Sequence, residues 1–213
     1  MQNTSEKSRI YNALLLSCTW IVVCWIVFIS DHLLGIGLNK FGLEPREISG
    51  LIGVISMAFL HGSWDHLIQN SLAILVLNSF LFYFYRPLSF RVFMLAFFIT
   101  PMLLWIVGRN GNHIGASALL YFEFGFMVAG GIIRNNPLLM RVALVVILYY
   151  GSLVWYVFPI DKSVSWEGHA CGVCVGVVLS WVFKDQGPQR RIYQYETEPE
   201  LPDDENAYWK IEE

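Results

Sequence analysis

Three groups of polar residues interrupt the long apolar stretches of this sequence, and each contains residue types that can do chemistry. They comprise His61, His66 and Asn70, then Gly115, Ser117 and Tyr121, and then His169, Gly172 and Gly176. A serine becomes nucleophilic when a base takes its proton, and histidine can act as that base near neutral pH. Asparagine and histidine N–H groups can stabilise a developing oxyanion. These residue types are therefore those of a hydrolase that attacks with a serine.

The serine group lies at the start of a predicted helix. A serine in that place is usually an N-cap, but the free N–H groups of a helix start can also bind an oxyanion beside a nucleophile. Gly115 allows the chain to turn before Ser117. Tyr121 follows one helical turn later on the same face. The pattern fits both a cap and a nucleophile.

The third group predicts a histidine at a tight helix–helix contact. His169, Gly172 and Gly176 are spaced by three and four residues, so they share one helix face. Glycines on such a face let a neighbouring helix pack closely. His113 is a rival base for Ser117. It is predicted to lie in a loop with no rigid element to hold it, so His169 is preferred.

The first group has two other interpretations. His66 and Asn70 are four residues apart and share a helix face, where they could simply bond to a neighbouring helix. His61 and His66 could bind zinc, but no third ligand follows at a fitting spacing. We predict no metal at these histidines.

The cysteine pair Cys171 and Cys174 has the C-x-x-C spacing of redox and metal sites. It lies inside an apolar helical stretch, and no second cysteine pair completes a zinc site. We interpret these cysteines as small residues of a helix-packing face.

The hydrophobic pattern predicts an all-α membrane protein. Of the 213 residues, 55% are hydrophobic and 15% are charged, whereas soluble domains carry roughly 25% charged residues. A spanning helix needs about 20 mostly apolar residues. Six stretches qualify, at residues 10–30, 66–85, 92–108, 117–133, 138–158 and 168–183.

The charges predict an orientation for these six helices. Of the 14 lysines and arginines, ten fall on the side of both termini and four on the other, which indicates cytoplasmic termini. We expect a cytoplasmic segment 1–9, a six-helix domain 10–184 with a long, partly embedded first loop, and an acidic, disordered cytoplasmic tail 185–213. The sequence has no predicted basic face of the kind that binds nucleic acid.

Taken together, the motifs resemble those of the rhomboid family of intramembrane serine proteases. They fall in that family's order on the predicted second, fourth and sixth helices. The matching residues are Phe-Leu-His61-x4-His66-Leu-x2-Asn70, Gly115-Ala-Ser117-x3-Tyr121 and Gly168-His169-x2-Gly172-x3-Gly176. The resemblance covers residues 10–183.

The compact chain and the lack of a transit peptide predict a bacterial plasma membrane. The resemblance implies a six-helix rhomboid bundle in a lipid bilayer that cleaves single-span membrane proteins without a cofactor. It also implies roles for individual residues. Ser117 is then the nucleophile and His169 the base. His66, Asn70 and the Ser117 N–H stabilise the oxyanion, and Tyr121 stacks on His169. Gly115 precedes the nucleophile, Gly172 and Gly176 form the seam, and His61 supports the first loop.

The sequence departs from the family pattern in three places. Ala118 stands where a glycine is usual, and Ile52 and Gly53 stand where Trp-Arg is frequent. Glu123 lies in the fourth helix about 240° around from Ser117, so it is predicted to pair with a polar group elsewhere or to stay protonated.

Two other functions are compatible with apolar helices that carry polar residues. A non-catalytic rhomboid-like protein that binds membrane clients would generally lack the serine or the histidine, and both are present here. A transporter or channel is disfavoured because the hydropathy shows no repeat or paired half-helices.

Overall fold

The computed structural model describes residues 6–160 and 164–192, and these residues form a helical bundle without a β-strand. Three of these helices are long and apolar enough to cross a membrane, and four more are shorter and also apolar. One of the four, Ser49–Phe59, lies in the first connection, and the other six helices form the bundle. In chain order they are α1 Glu6–Leu34, α2 Trp64–Phe84, α3 Ser89–Val107, α4 Ser117–Ile133, α5 Pro137–Tyr150 and α6 Trp166–Val182.

Most predicted helices are present within a few residues of their expected bounds, and α4 has the predicted bounds. The fifth prediction, residues 138–158, is wrong at its end. Helix α5 stops at Tyr150, and the 3-10 helix Gly151–Val157 follows it. Glycine disfavours the interior of an α-helix, and Gly151 closes α5 by donating its N–H to the Ile147 carbonyl oxygen.

Helix α2 contains a feature that the sequence did not predict, a π-helical turn at Ile74–Asn78. Asn78 is buried at the end of this turn. Its Nδ2 donates to Glu123 Oε1 at 2.8 Å, and its Oδ1 accepts from the Ser17 hydroxyl at 2.9 Å. Glu123, which is fully buried in α4, thus pairs with a polar group on another helix. One buried polar chain connects α1, α2 and α4.

The centre of the bundle is the contact between α4 and α6. A Cβ added to Gly172 would lie 2.9 Å from the Phe122 main-chain N, and one added to Gly176 would lie 2.6 Å from the Phe126 N. Real side chains do not come this close to a backbone. The two glycines therefore form the predicted seam, and they bring the start of α6 against the start of α4.

The connection between α1 and α2 is built of short helical turns, including the segment Ser49–Phe59. It is attached to the loop that precedes α4. Leu43 and His113 form an antiparallel β-bridge with N···O distances of 2.9 and 2.8 Å, and the Gly115 N–H donates to the Met57 carbonyl oxygen at 2.8 Å. The first connection thereby fixes the backbone just before Ser117.

The segment after α6 returns to the bundle before it leaves the described residues. Gln186 Oε1 accepts from Arg91 at 3.1 Å, and the Gln189 carbonyl oxygen accepts from Asn136 at 2.8 Å. The predicted acidic tail lies mostly outside the described residues, at 193–213, as do residues 1–5 of the predicted N-terminal segment.

Candidate active site

The structure brings Ser117 and His169 into contact across the helix seam. Ser117 is the first residue of α4 and His169 the fourth of α6, and the Ser117 Oγ lies 3.0 Å from His169 Nε2. The cap position of α4 is held by Ala116, without a side-chain cap bond. The Ser117 hydroxyl therefore contacts the imidazole instead of capping its own helix.

The proton on His169 is placed by a main-chain group. His169 Nδ1 lies 2.9 Å from the carbonyl oxygen of Tyr156, in the 3-10 helix after α5. A carbonyl oxygen only accepts, so Nδ1 carries a hydrogen in this contact. In the neutral ring, Nε2 then presents its lone pair to the Ser117 hydroxyl. Sequence reasoning missed Tyr156, because every residue has a carbonyl and no residue type signals this role.

Tyr121 fixes the plane of the same imidazole. The two rings are stacked with centroids 3.9 Å apart and an angle of 9° between planes. Tyr121 is buried, one turn after Ser117 on the same helix. The histidine is therefore held on one face by Tyr121 and at its Nδ1 edge by the Tyr156 carbonyl.

His66 and Asn70 lie beside the backbone that leads into Ser117. A Cβ added to Gly115 would be 2.6 Å from His66 Nε2 and 3.5 Å from Asn70 Nδ2. Gly115 also has φ of +112°, a conformation that other residues rarely adopt. Glycine is thus required here both for its backbone angle and for the space that the two side chains occupy.

His61 orients Asn70. Its Nδ1 lies 3.3 Å from the Phe59 carbonyl oxygen, so Nδ1 donates and Nε2 accepts from Asn70 Nδ2 at 3.0 Å. Burial lowers the pKa of His61 to about 4, and the nearby His66 adds to the effect, so the ring is neutral as this arrangement requires. Asn70 keeps a second N–H for another acceptor.

The remaining candidate ligands do not gather. Across residues 6–160 and 164–192, no three histidine, cysteine or acidic side chains form a group that could hold a metal ion. Cys171 is buried and Cys174 is exposed, and both are free cysteines.

The expectation that His113 is loosely held is wrong. This residue is buried and belongs to the β-bridge with Leu43. Its Nδ1 lies 2.6 Å from Ser165 Oγ and its Nε2 lies 3.0 Å from the Arg109 carbonyl oxygen. Both ring nitrogens are therefore engaged by groups other than Ser117, which leaves His169 as the histidine at the serine.

This arrangement of a helical bundle with a serine and a histidine on a glycine seam agrees with the family comparison. The Rhomboid domain profile matches residues 49–186. The chain belongs to the rhomboid family, and the resemblance seen in the motifs is confirmed. With its apolar helices, it is an integral membrane protein.

Relatives occur in mycobacteria. An uncharacterized protein of Mycobacterium tuberculosis (strain ATCC 25618 / H37Rv) is 29% identical over 184 residues, covering 81% of this chain and 75% of its own. An uncharacterized protein of Mycobacterium bovis has the same identity and coverage. One of Mycobacterium leprae is 25% identical over 182 residues, covering 81% of this chain and 71% of its own.

Proposed function

We propose that this rhomboid protein is an intramembrane serine endopeptidase that hydrolyses peptide bonds in or near the transmembrane segments of other membrane proteins. The observation that carries the proposal is the 3.0 Å contact between Ser117 Oγ and His169 Nε2. A contact of this length and direction is what a serine nucleophile and its base require. The family membership makes a peptide bond the natural substrate.

The reaction begins when Ser117 Oγ attacks the carbonyl carbon of the scissile bond. His169 Nε2 takes the serine proton as the new C–O bond forms, and the carbonyl oxygen becomes an oxyanion. The side chains of His66 and Asn70 and the main-chain N–H of Ser117 are the candidate donors to that oxyanion. One such donor typically contributes a factor of about 10² to 10³ in rate.

The C–N bond then breaks, and His169 gives its proton to the leaving amine. The carbonyl carbon is now an ester of Ser117. A water molecule attacks this ester while His169 takes its proton. The second tetrahedral intermediate then collapses: the bond from carbon to Ser117 Oγ breaks, His169 returns the proton to Oγ, and a free carboxylic acid leaves. The pair works as a dyad, because Tyr121 and the Tyr156 carbonyl hold His169 without a carboxylate.

Helix length supports a site below the membrane surface. Helix α4 has 17 residues and begins at Ser117, so it is about 26 Å long at 1.5 Å per residue. The hydrocarbon core of a bilayer is about 30 Å thick. If the far end of α4 lies at one interface, Ser117 is a few ångströms inside the other, with its hydroxyl half-buried.

The proposal includes the predicted topology. All six helices span the bilayer, both termini are cytoplasmic, and the site opens to the opposite side, where water enters. The substrates are single-span membrane proteins, as the resemblance implies, cut near one end of their helix. The membrane is a bacterial plasma membrane.

The test is cleavage of a single-span fusion protein in reconstituted vesicles. The parent chain is compared with Ser117→Ala, His169→Ala and, as a matched control, Ser49→Ala, which changes an exposed serine of the first connection. Parent and control should cut one bond near the end of the substrate helix, and the other two should not. Cleavage by Ser117→Ala would refute the proposal. Stable binding without cleavage by the folded parent would replace it with a client-binding function.

A further inference from the structure

A second serine–histidine pair lies next to the first and is formed by His113 and Ser165. Ser165 is the N-cap of α6, and its Oγ accepts from the Gly168 N–H at 3.3 Å. The same Oγ is 2.6 Å from His113 Nδ1. Ser165 is therefore a link between the loop before the serine helix and the first turn of the helix that carries His169.

The directions of these hydrogen bonds follow from their acceptors. The Arg109 carbonyl oxygen can only accept, so His113 Nε2 donates to it at 3.0 Å. In the neutral ring, Nδ1 then accepts from the Ser165 hydroxyl. Since Ser165 Oγ in turn accepts from Gly168, all three donors point toward Arg109. Hydrogen bonds arranged in this way polarise and strengthen one another.

Arg109 makes a second tie between the same two segments. Its Nη2 donates to the Val164 carbonyl oxygen at 2.7 Å, and its Nε lies 3.6 Å from Glu167 Oε1. His113 is itself anchored on its other side by the β-bridge to Leu43. His113 and Arg109 thus both join the loop before α4 to the start of α6. The β-bridge fixes the same loop to the first connection.

We propose that His113 is a positioning residue, which acts through Ser165 to hold the first turn of α6 and with it His169. This inference rests on the proposed function. The Ser117–His169 contact joins two helices, so a shift of the α6 start lengthens it directly. A misplacement of about 1 Å at a reacting group can cost about 10² in rate.

Two conservative substitutions separate the hydrogen bonds of His113. Asparagine keeps an acceptor at the position of Nδ1, facing Ser165, whereas glutamine keeps a donor at the position of Nε2, facing Arg109. We expect kcat to fall about 10- to 100-fold in His113→Ala, His113→Gln and Ser165→Ala, with KM unchanged. His113→Asn should recover most of that loss. The matched control is His32→Ala, at an exposed histidine at the end of α1.

The double variant His113→Ala/Ser165→Ala sharpens the test. If the two residues act through one bond, the double variant should be no slower than the slower of the two single variants, because Ser165→Ala also removes the cap bond to Gly168. Rate losses that multiply would contradict the proposal, as would a His113→Asn variant as slow as His113→Ala.

Hydrogen exchange of residues 166–169, measured in the Ser117→Ala background, tests without an activity assay whether His113 and Ser165 hold the start of α6. Amide protection in the first turn of α6 should fall in His113→Ala and Ser165→Ala but not in His113→Asn. If the parent chain does not cleave but protection responds in this way, the proposed function is rejected and the positioning role is kept. An active parent whose rate and protection ignore His113→Ala would reject the positioning role alone.

Discussion

The carbonyl oxygen of Tyr156 lies 2.9 Å from Nδ1 of His169. A serine protease triad uses a buried carboxylate at this place, where it holds the imidazole in the correct tautomer. Here a neutral main-chain group does the same. The histidine is therefore oriented without a buried charge, which suits the proposed position of the site inside a membrane, where charges are costly.

Replacing Asn70 with Ala should lower kcat by about 10²- to 10³-fold with little change in KM, because an oxyanion donor acts mainly in the transition state. The second N–H of Asn70 is free for this role, since His61 engages the other. The measurement is steady-state cleavage in vesicles. Asn12→Ala, at an exposed position of α1, is the control. An unchanged kcat would exclude Asn70 as a donor.

Replacing Glu123 with Gln should spare catalysis, because the amide oxygen can still accept from Asn78 Nδ2. Replacing it with Leu leaves that buried donor unsatisfied and should cost about 1–3 kcal/mol of stability. Thermal unfolding in detergent and serine labelling measure the two effects separately. If Glu123→Gln folds normally but no longer turns over, the structural role assigned to Glu123 is wrong.

Replacing Gly172 with Ala should destabilise the protein by about 1–3 kcal/mol, because the new methyl group meets the α4 backbone. It would lie 2.9 Å from the Phe122 N. The matched control is Gly151→Ala, whose Cβ would be 3.6 Å from Ile147 Cγ2, an ordinary contact. Thermal unfolding of the two variants in one detergent makes the comparison. Equal stability of both would argue against a tight seam between α4 and α6.

Lowering the pH should reduce kcat/KM, because protonated His169 cannot take the serine proton. Activity is present where the ring is neutral and is lost as pH falls through its titration. The measurement is a rate profile from about pH 3 to 9, which extends well below the usual titration range of histidines, with far-UV circular dichroism recorded at each point as a check on folding. A flat profile in the folded protein would contradict His169 as the base.

Much of the site was within reach of the sequence, since it depends on helix geometry. The interval between Ser117 and Tyr121 is one helical turn, and the spacing of His169, Gly172 and Gly176 defines one face. The structure shows the stacked ring and the close seam that these spacings imply. The catalytic roles of these residues remain predictions.

Other parts could not be predicted, because they depend on main-chain groups or on partners far apart in sequence. The Tyr156 carbonyl has no residue-type signal, and the pair His113–Ser165 joins residues 52 positions apart. The π-helical turn that places Asn78 opposite Glu123 likewise requires tertiary packing. The early end of α5 at Gly151 was hidden by the hydrophobic pattern, which stays apolar through residue 158.

The most direct test of the account is labelling with a fluorophosphonate in detergent, comparing the parent chain with Ser117→Ala and His169→Ala. The reagent reacts with a serine only when a base activates it. The parent should be labelled at Ser117 and neither variant should be labelled, while all three remain folded. Undiminished labelling of His169→Ala, or no labelling of a folded parent, would contradict the Ser117–His169 dyad.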